Sequence, residues 1–286
     1  MAGGLQDLRR RIRSVQSTQQ ITRAMKLVAG AKLRRAEERA RASREYFGEI
    51  RAVTSRAVAR GGANHPLLVT RPEEKMAMVV VTSDRGLAGP YNTNILRYAT
   101  EEMRQSPARE KRVFAVGRKG RDYFRYRSIP IAEEFVGLGD DPRYRQAKTI
   151  ADVIIGQYLE GEVDAVYLAY TKYHNAMSQE PQVIRLLPVE APEQKIQAGS
   201  QMGYVFEPDP REVFEDLLPR YVEMLIFGAL LESKASEQGA RMTAMDNASK
   251  NADELIRRMI LLRNRLRQAA ITREIAELVG GAEALK

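Results

Sequence analysis

Apolar positions near the start of the chain recur as Leu5, Leu8, Ile12 and Val15, a 3-4-3 spacing that opens a heptad pattern. The pattern then drifts through Ile21, Met25 and Val28 to Leu33, Ala36, Ala40, Phe47 and Ile50. Between Ile21 and Ala31 apolar residues fall on several faces, which implies that something encloses this stretch. Residues 5–60 lack proline and hold only Gly30 and Gly48 as glycines, so the run predicts one helix, stopped at Gly61-Gly62. At about 55 residues it would extend roughly 83 Å, more than a small domain can cover.

The other end has the same character. Asp209-Pro210-Arg211-Glu212 reads as a helix start, and Met245, Ala248, Ala252, Leu255, Met259, Leu262, Leu266 and Ala269 follow at strict 3-4 spacing. Pro219 is expected to kink this helix or split off a short first piece. The two helices either pair as one antiparallel coiled coil or sit in an ordinary bundle. Their length favours pairing, because bundle helices rarely exceed about 25 residues. Ala29, Ala36 and Ala40 against Ala248, Ala252 and Ala269 would allow close approach.

The middle alternates strands and helices. Strands are predicted at Met76–Val81, Arg112–Val116, Ile129–Phe135, Ala165–Tyr170 and Gln182–Leu187. Helices are predicted over Asn92–Gln105, Lys119–Arg127 and Ala147–Glu160. This is an α/β pattern: a mainly parallel, doubly wound (Rossmann-like) sheet ending in an antiparallel hairpin. The expected organisation is a helix over residues 1–60, an α/β domain over 74–190 and a second helix over 209–286.

Charge changes this picture in one place. The net charge is +9, yet residues 1–60 hold 15 Lys+Arg against 5 Asp+Glu, a net of +10. The remainder is nearly neutral, so the first helix wants an acidic partner. Nucleic acid, anionic lipid and an acidic protein surface all satisfy that. An acidic protein socket also accounts for the apolar stretch, and 7% aromatics without Trp is thin for base stacking. The absence of cysteine excludes disulfides, a thiolate zinc site and a cysteine nucleophile. No run of eighteen apolar residues is present to span a membrane.

Candidate chemistry is sparse. Ser83-Asp84-Arg85-Gly86-Leu87-Ala88-Gly89 follows the first strand, where doubly wound sheets bind ligands. It reads as a tight structural loop or as a phosphate cradle, and it lacks both the dinucleotide fingerprint and a P-loop Lys. Gly117-Arg118-Lys119-Gly120-Arg121 could grip an anion at a helix start or form a solvated turn. His65 and His174 fall in expected turns, and no triad or acid–base pair assembles. The chain does not read as an enzyme, and no cofactor is expected.

Four segments resemble the γ subunit family of the F-type ATP synthase. They are Ile21-Thr22-Arg23-Ala24-Met25-Lys26-Leu27-Val28-Ala29, Ser83 to Gly89, Ser236 to Ala248, and Ile271 to Ala282. The resemblance covers essentially the whole chain and implies a central rotor shaft. Such a shaft sits once per complex inside a ring of α and β subunits, and rests with ε on the c-ring. It couples proton-driven rotation to the β sites. By resemblance, Met25, Arg241, Arg267, Gln268 and Thr272 contact β, and Tyr204 and Glu207 lie near the c-ring. The family's plant members carry a regulatory cysteine insert, which this chain lacks. Without a transit segment, the expected location is the cytoplasmic face of a bacterial plasma membrane, held there by partners. Arg241→Glu or Met25→Lys is expected to impair coupling more than folding. The reading of the residues alone leaves a nucleotide- or anion-binding α/β protein with a coiled-coil arm, or a basic coiled-coil DNA binder, as alternatives.

Overall fold

The structure is a computed structural model that describes residues 2–61, 65–189 and 210–283. The chain divides into two compact units, and the divisions fall inside both terminal helices. One unit holds residues 30–241, the other residues 1–29 with 242–286. Helix α1 spans Ala2–Gly61, and helix α5 spans Pro210–Glu283.

The 30–241 unit is built on a five-stranded sheet in the order β3-β2-β1-β4-β5. The strands are β1 (Lys75–Val81), β2 (Glu110–Val116), β3 (Ile131–Phe135), β4 (Ala165–Asn175) and β5 (Ser178–Leu187). β1, β2, β3 and β4 are mutually parallel, and β5 returns antiparallel to β4. The hairpin is longer than the hydrophobic runs suggest, because β4 and β5 extend as polar strands toward Asn175. Their ladder hydrogen bonds continue where side-chain hydrophobicity stops.

Helices α2 (Tyr91–Gln105), α3 (Arg118–Tyr126) and α4 (Tyr144–Leu159) connect the parallel strands. α2 and α3 bury Ile95, Leu96 and Phe124 on one face against Met78, Val80, Val113 and Ala115. α4 buries Ile150, Ile154 and Tyr158 on the other face, with Leu218, Val222 and Ile226 of α5. A parallel sheet needs both faces covered, and β1 is accordingly apolar without alternation. The chain's own C-terminal helix therefore serves as one of the covering layers.

α5 continues through Pro219, and no short first piece separates. An internal proline costs about 3 kcal/mol through its lost hydrogen bond and ring clash. Full burial of Leu218 and Val222 on either side offsets that cost. α1 lies close to α5 within this unit. A Cβ on Gly228 would come within 2.8 Å of the Phe47 ring, which itself meets Phe227 edge-on at 6.4 Å.

In the other unit the N-terminal part of α1 pairs with α5. Lys26 Nζ meets Asp246 at 2.6 Å, and the Gln19 amide donates to Asp253. The pairs run antiparallel and lie one heptad apart on each helix. Leu8, Ile12, Thr22 and Ala29 are buried from α1; Met245, Ser249, Ala252 and Ile256 are buried from α5.

The expected α5 seam is therefore rotated. Met245 and Ala252 lie in it, but Leu255, Leu262 and Leu266 remain exposed and Ser249 and Ile256 take their place. The two polar pairs turn α5 so that Asp246 and Asp253 reach across. A strict apolar stripe cannot also face the partner when those bonds form.

Candidate functional site

In a sheet of this order the direction of winding reverses between β1 and β4, and ligands bind outside the strand ends there. The loop after β1 is the sequence's phosphate-cradle candidate. Several of its polar groups bond within the chain. Ser83 Oγ donates to the Arg85 carbonyl at 2.6 Å, and Asn92 Oδ1 accepts from Ser83 N at 3.0 Å. The Asp84 carboxylate accepts from Arg118 N at 3.0 Å and Gly137 N at 3.1 Å. The start of α3, the second anion candidate, is thus already capped by a carboxylate of its own chain.

Backbone geometry closes the loop further. Leu87 sits at φ 61° and Gly89 at φ 54°. At Gly117 (φ 94°) an added Cβ would lie 2.3 Å from the Thr82 carbonyl oxygen, so the β2–α3 turn presses directly on the end of β1. Thr82 Oγ1 bonds the Val116 carbonyl and the Gly120 N–H. The cavity left between β1, Gly117, Leu138 and the Ser233–Glu237 turn of α5 measures about 30 Å³, room for one water. A nucleotide needs about ten times that.

α5 fills this crevice with polar side chains. Ser233 Oγ accepts the Thr171 N–H of β4, and Ser236 Oγ donates to the Thr171 carbonyl. Tyr91 is buried beside them, and desolvation pushes its phenol well above the usual range, with the Glu237 charge adding to the shift. Arg241 donates to the Gly86 carbonyl at 3.1 Å and pairs with Glu237 at 2.7 Å. Arg241 and Glu237 are both buried. Among the described residues no cluster of His, Asp or Glu could hold a metal, and no helix is long and apolar enough to cross a membrane.

The residues singled out by resemblance fall in different settings. Met25 is half-buried on α1. Arg267, Gln268 and Thr272 are exposed along α5. The pairing of Lys26 with Asp246 sets Met25 about 20 residues from Arg267 along the helix pair, near 30 Å at the helical rise. Arg241 belongs to the crevice, where its guanidinium is already bonded. Tyr204 and Glu207 lie outside the described residues. Residue reasoning missed Lys234, Glu237 and Asp140. The i,i+3 and i,i+4 spacing of Lys234, Glu237 and Arg241 was the available signal.

The helix-pair unit carries a surface of another kind. Ile21, Leu27 and Val28 of α1 are 57%, 71% and 53% exposed, and Leu261, Leu262, Leu266, Ile271 and Ile275 of α5 are exposed too. Apolar side chains on outward faces of a helix pair mark a surface made to be covered.

A sheet whose ligand crevice is filled by its own helix, together with a helix pair that exposes apolar side chains, is the pattern of an assembly subunit. A family model described as ATP synthase runs through residues 4–285. The chain is 51% identical over 283 residues to the ATP synthase gamma chain of Pelotomaculum thermopropionicum, covering 99% of both chains. To that of Moorella thermoacetica it is 50% identical, again over 99% of both. A chain of the Tetrahymena thermophila mitochondrial ATP synthase central stalk and c-ring structure superposes with a TM-score of 0.63 at 25% identity, covering 80% of this chain and 99% of that one. A chain of the Euglena gracilis mitochondrial enzyme shares the fold, with a TM-score of 0.72 at 21% identity over 100% of this chain and 95% of that one. The chain belongs to the ATP synthase gamma chain family.

Proposed function

We propose that this chain is the non-catalytic rotor shaft of a proton-translocating F-type ATP synthase. It turns inside a ring of α and β subunits while its sheet unit rests with ε on the c-ring. Rotation of the c-ring is passed to the β sites for ATP synthesis, and the reverse occurs in hydrolysis. One copy serves each complex, on the cytoplasmic face of a bacterial plasma membrane and held there by partners alone. Met25, Arg267, Gln268 and Thr272 contact β in this reading. Arg241 does so only where a β acid competes with Glu237 and Gly86 for its guanidinium. Tyr204 and Glu207 serve the c-ring.

The exposed apolar exterior of the helix pair carries this reading. A shaft needs a smooth sleeve contact with few fixed bonds, and aliphatic side chains give adhesion without directional hydrogen bonds. The filled crevice supports the assignment of catalysis to partners. The test is assembly of the chain with α, β, ε and the membrane sector in proteoliposomes. ATP-driven proton pumping is expected, and Met25→Lys should lower pumping while assembly persists. Failure of the chain to enter a complex with α and β would sink the reading.

A further inference from the structure

The crevice at the end of β1 holds a circuit of charges of which the rotor reading uses only Arg241. Lys32 of α1 meets Asp140 at 2.6 Å, in the loop between β3 and α4. Lys234 of α5 meets the same carboxylate at 3.1 Å and the Gly139 carbonyl at 3.0 Å. Lys234 also meets Glu237 at 3.0 Å, and Glu237 meets Arg241. Arg241 reaches the Gly86 carbonyl in the β1–α2 loop. Asp84 of that loop returns to the Gly137 N–H in the β3–α4 loop. Arg39 of α1 pairs with Asp141 beside it. All of these residues lie within the 30–241 unit.

We propose that this circuit is the joint that makes both terminal helices and the sheet turn as one body, and that Glu237 is its positioning residue. The proposal rests on the rotor reading and deepens it. Glu237 is the only anion in the circuit that holds two cations of α5 together, and its side chain is 6% exposed. Through Lys234 it fixes the β3–α4 loop, and through Arg241 the β1–α2 loop. The β1–α2 loop borders the switch point between β1 and β4, where a ligand would enter a sheet of this order. The position that recognises a ligand in other doubly wound sheets here grips the protein's own helix. Apolar contacts resist separation but slide readily. The buried Lys234–Glu237–Arg241 pairs resist sliding and rotation, because displacement leaves desolvated charges without partners, and the half-exposed Lys32–Asp140 and Arg39–Asp141 pairs add a weaker hold on α1. Shear between helix and sheet is the deformation that torque would impose.

The test uses the whole complex in proteoliposomes, with protons pumped per ATP hydrolysed as the readout. Glu237→Gln should leave ATP hydrolysis without a proton gradient within about twofold of wild type. Protons pumped per ATP against a gradient should fall by about threefold or more. Lys32→Gln cuts the α1 arm at a partly exposed side chain and should act in the same direction; it carries the test alone should Glu237→Gln fail to assemble. Ile154→Val weakens the sheet core without touching the circuit and should leave the ratio unchanged. A wild-type ratio in both circuit variants, or an equal fall in the Ile154→Val control, would overturn the joint. A wild-type complex that hydrolyses ATP without pumping would instead overturn the rotor reading, and the joint with it.

Discussion

Arg241→Glu is the substitution for which the structure changes the expectation most. The sequence reading places Arg241 on a partner surface, where reversal would spare folding. The structure buries it against Glu237, with side chains 11% and 6% exposed. Removing one member of a buried pair costs about 3–5 kcal/mol, since the other charge stays desolvated. Lys234 remains on Glu237 at 3.0 Å and offsets part of that. A second carboxylate beside Glu237 adds repulsion, and the Gly86 carbonyl loses its donor. The expected loss is about 3 kcal/mol or more, a large share of a total near 5–15 kcal/mol. Arg241→Met keeps the volume and adds no second carboxylate, so it spares the repulsion and a smaller loss than that of Arg241→Glu is expected. Urea unfolding followed by circular dichroism measures the sum, and hydrogen exchange in β1 and β4 isolates the sheet unit. If Arg241→Glu protected β1 and β4 within about 0.5 kcal/mol of wild type, the buried-pair argument would be wrong.

Two further outcomes follow from other regions. Lys26→Asp should loosen the helix pair by setting a second carboxylate against Asp246, and Asp246→Lys in the same chain should restore most of the loss; a double variant as weak as the single one would refute the register role. His65 accepts the Leu67 N–H on Nδ1 at 3.2 Å, and burial holds its pKa below the ordinary value despite the opposing Glu215 charge. The unfolded chain therefore binds the proton more readily, so stability should fall as pH drops through about 6.5. His65→Asn keeps an acceptor without titrating and should flatten that part of a thermal-melt series; an unchanged slope would count against it.

Much of the architecture was legible because it rests on local patterns. The β1 run is apolar without alternation because both faces are covered, and the run alone predicts a central parallel strand. The proline-free N-terminal stretch predicts α1, which ends at Gly61 as expected. The seam was not legible, because a 3-4 stripe is compatible with several rotations of one helix on another. Gln19–Asp253 and Lys26–Asp246 choose among them. They also fix the register: a slip of one heptad would set Gln19 against Asp246 and leave Asp253 beside Ile12. Leu255, Leu262 and Leu266 are left outside the seam, where they enlarge the surface open to partners.

By itself, the sequence determined which segments are helix and strand, that the positive charge is local to residues 1–60, and, through four motifs, which family the chain belongs to. These follow from neighbours in the chain: periodicity, glycine and proline placement, and short-range charge. Only the tertiary structure decided what the Ser83–Gly89 loop does. A glycine-rich turn after a strand looks the same whether its polar groups await a phosphate or are bonded to distant parts of the same chain. Asp84 on Gly137 N, Arg241 on the Gly86 carbonyl and the mere 30 Å³ left at the end of β1 favour closure. The first contact joins two loops of the sheet and the second exists because α5 returns across it; long-range packing of that kind leaves no periodic trace in the residues that meet.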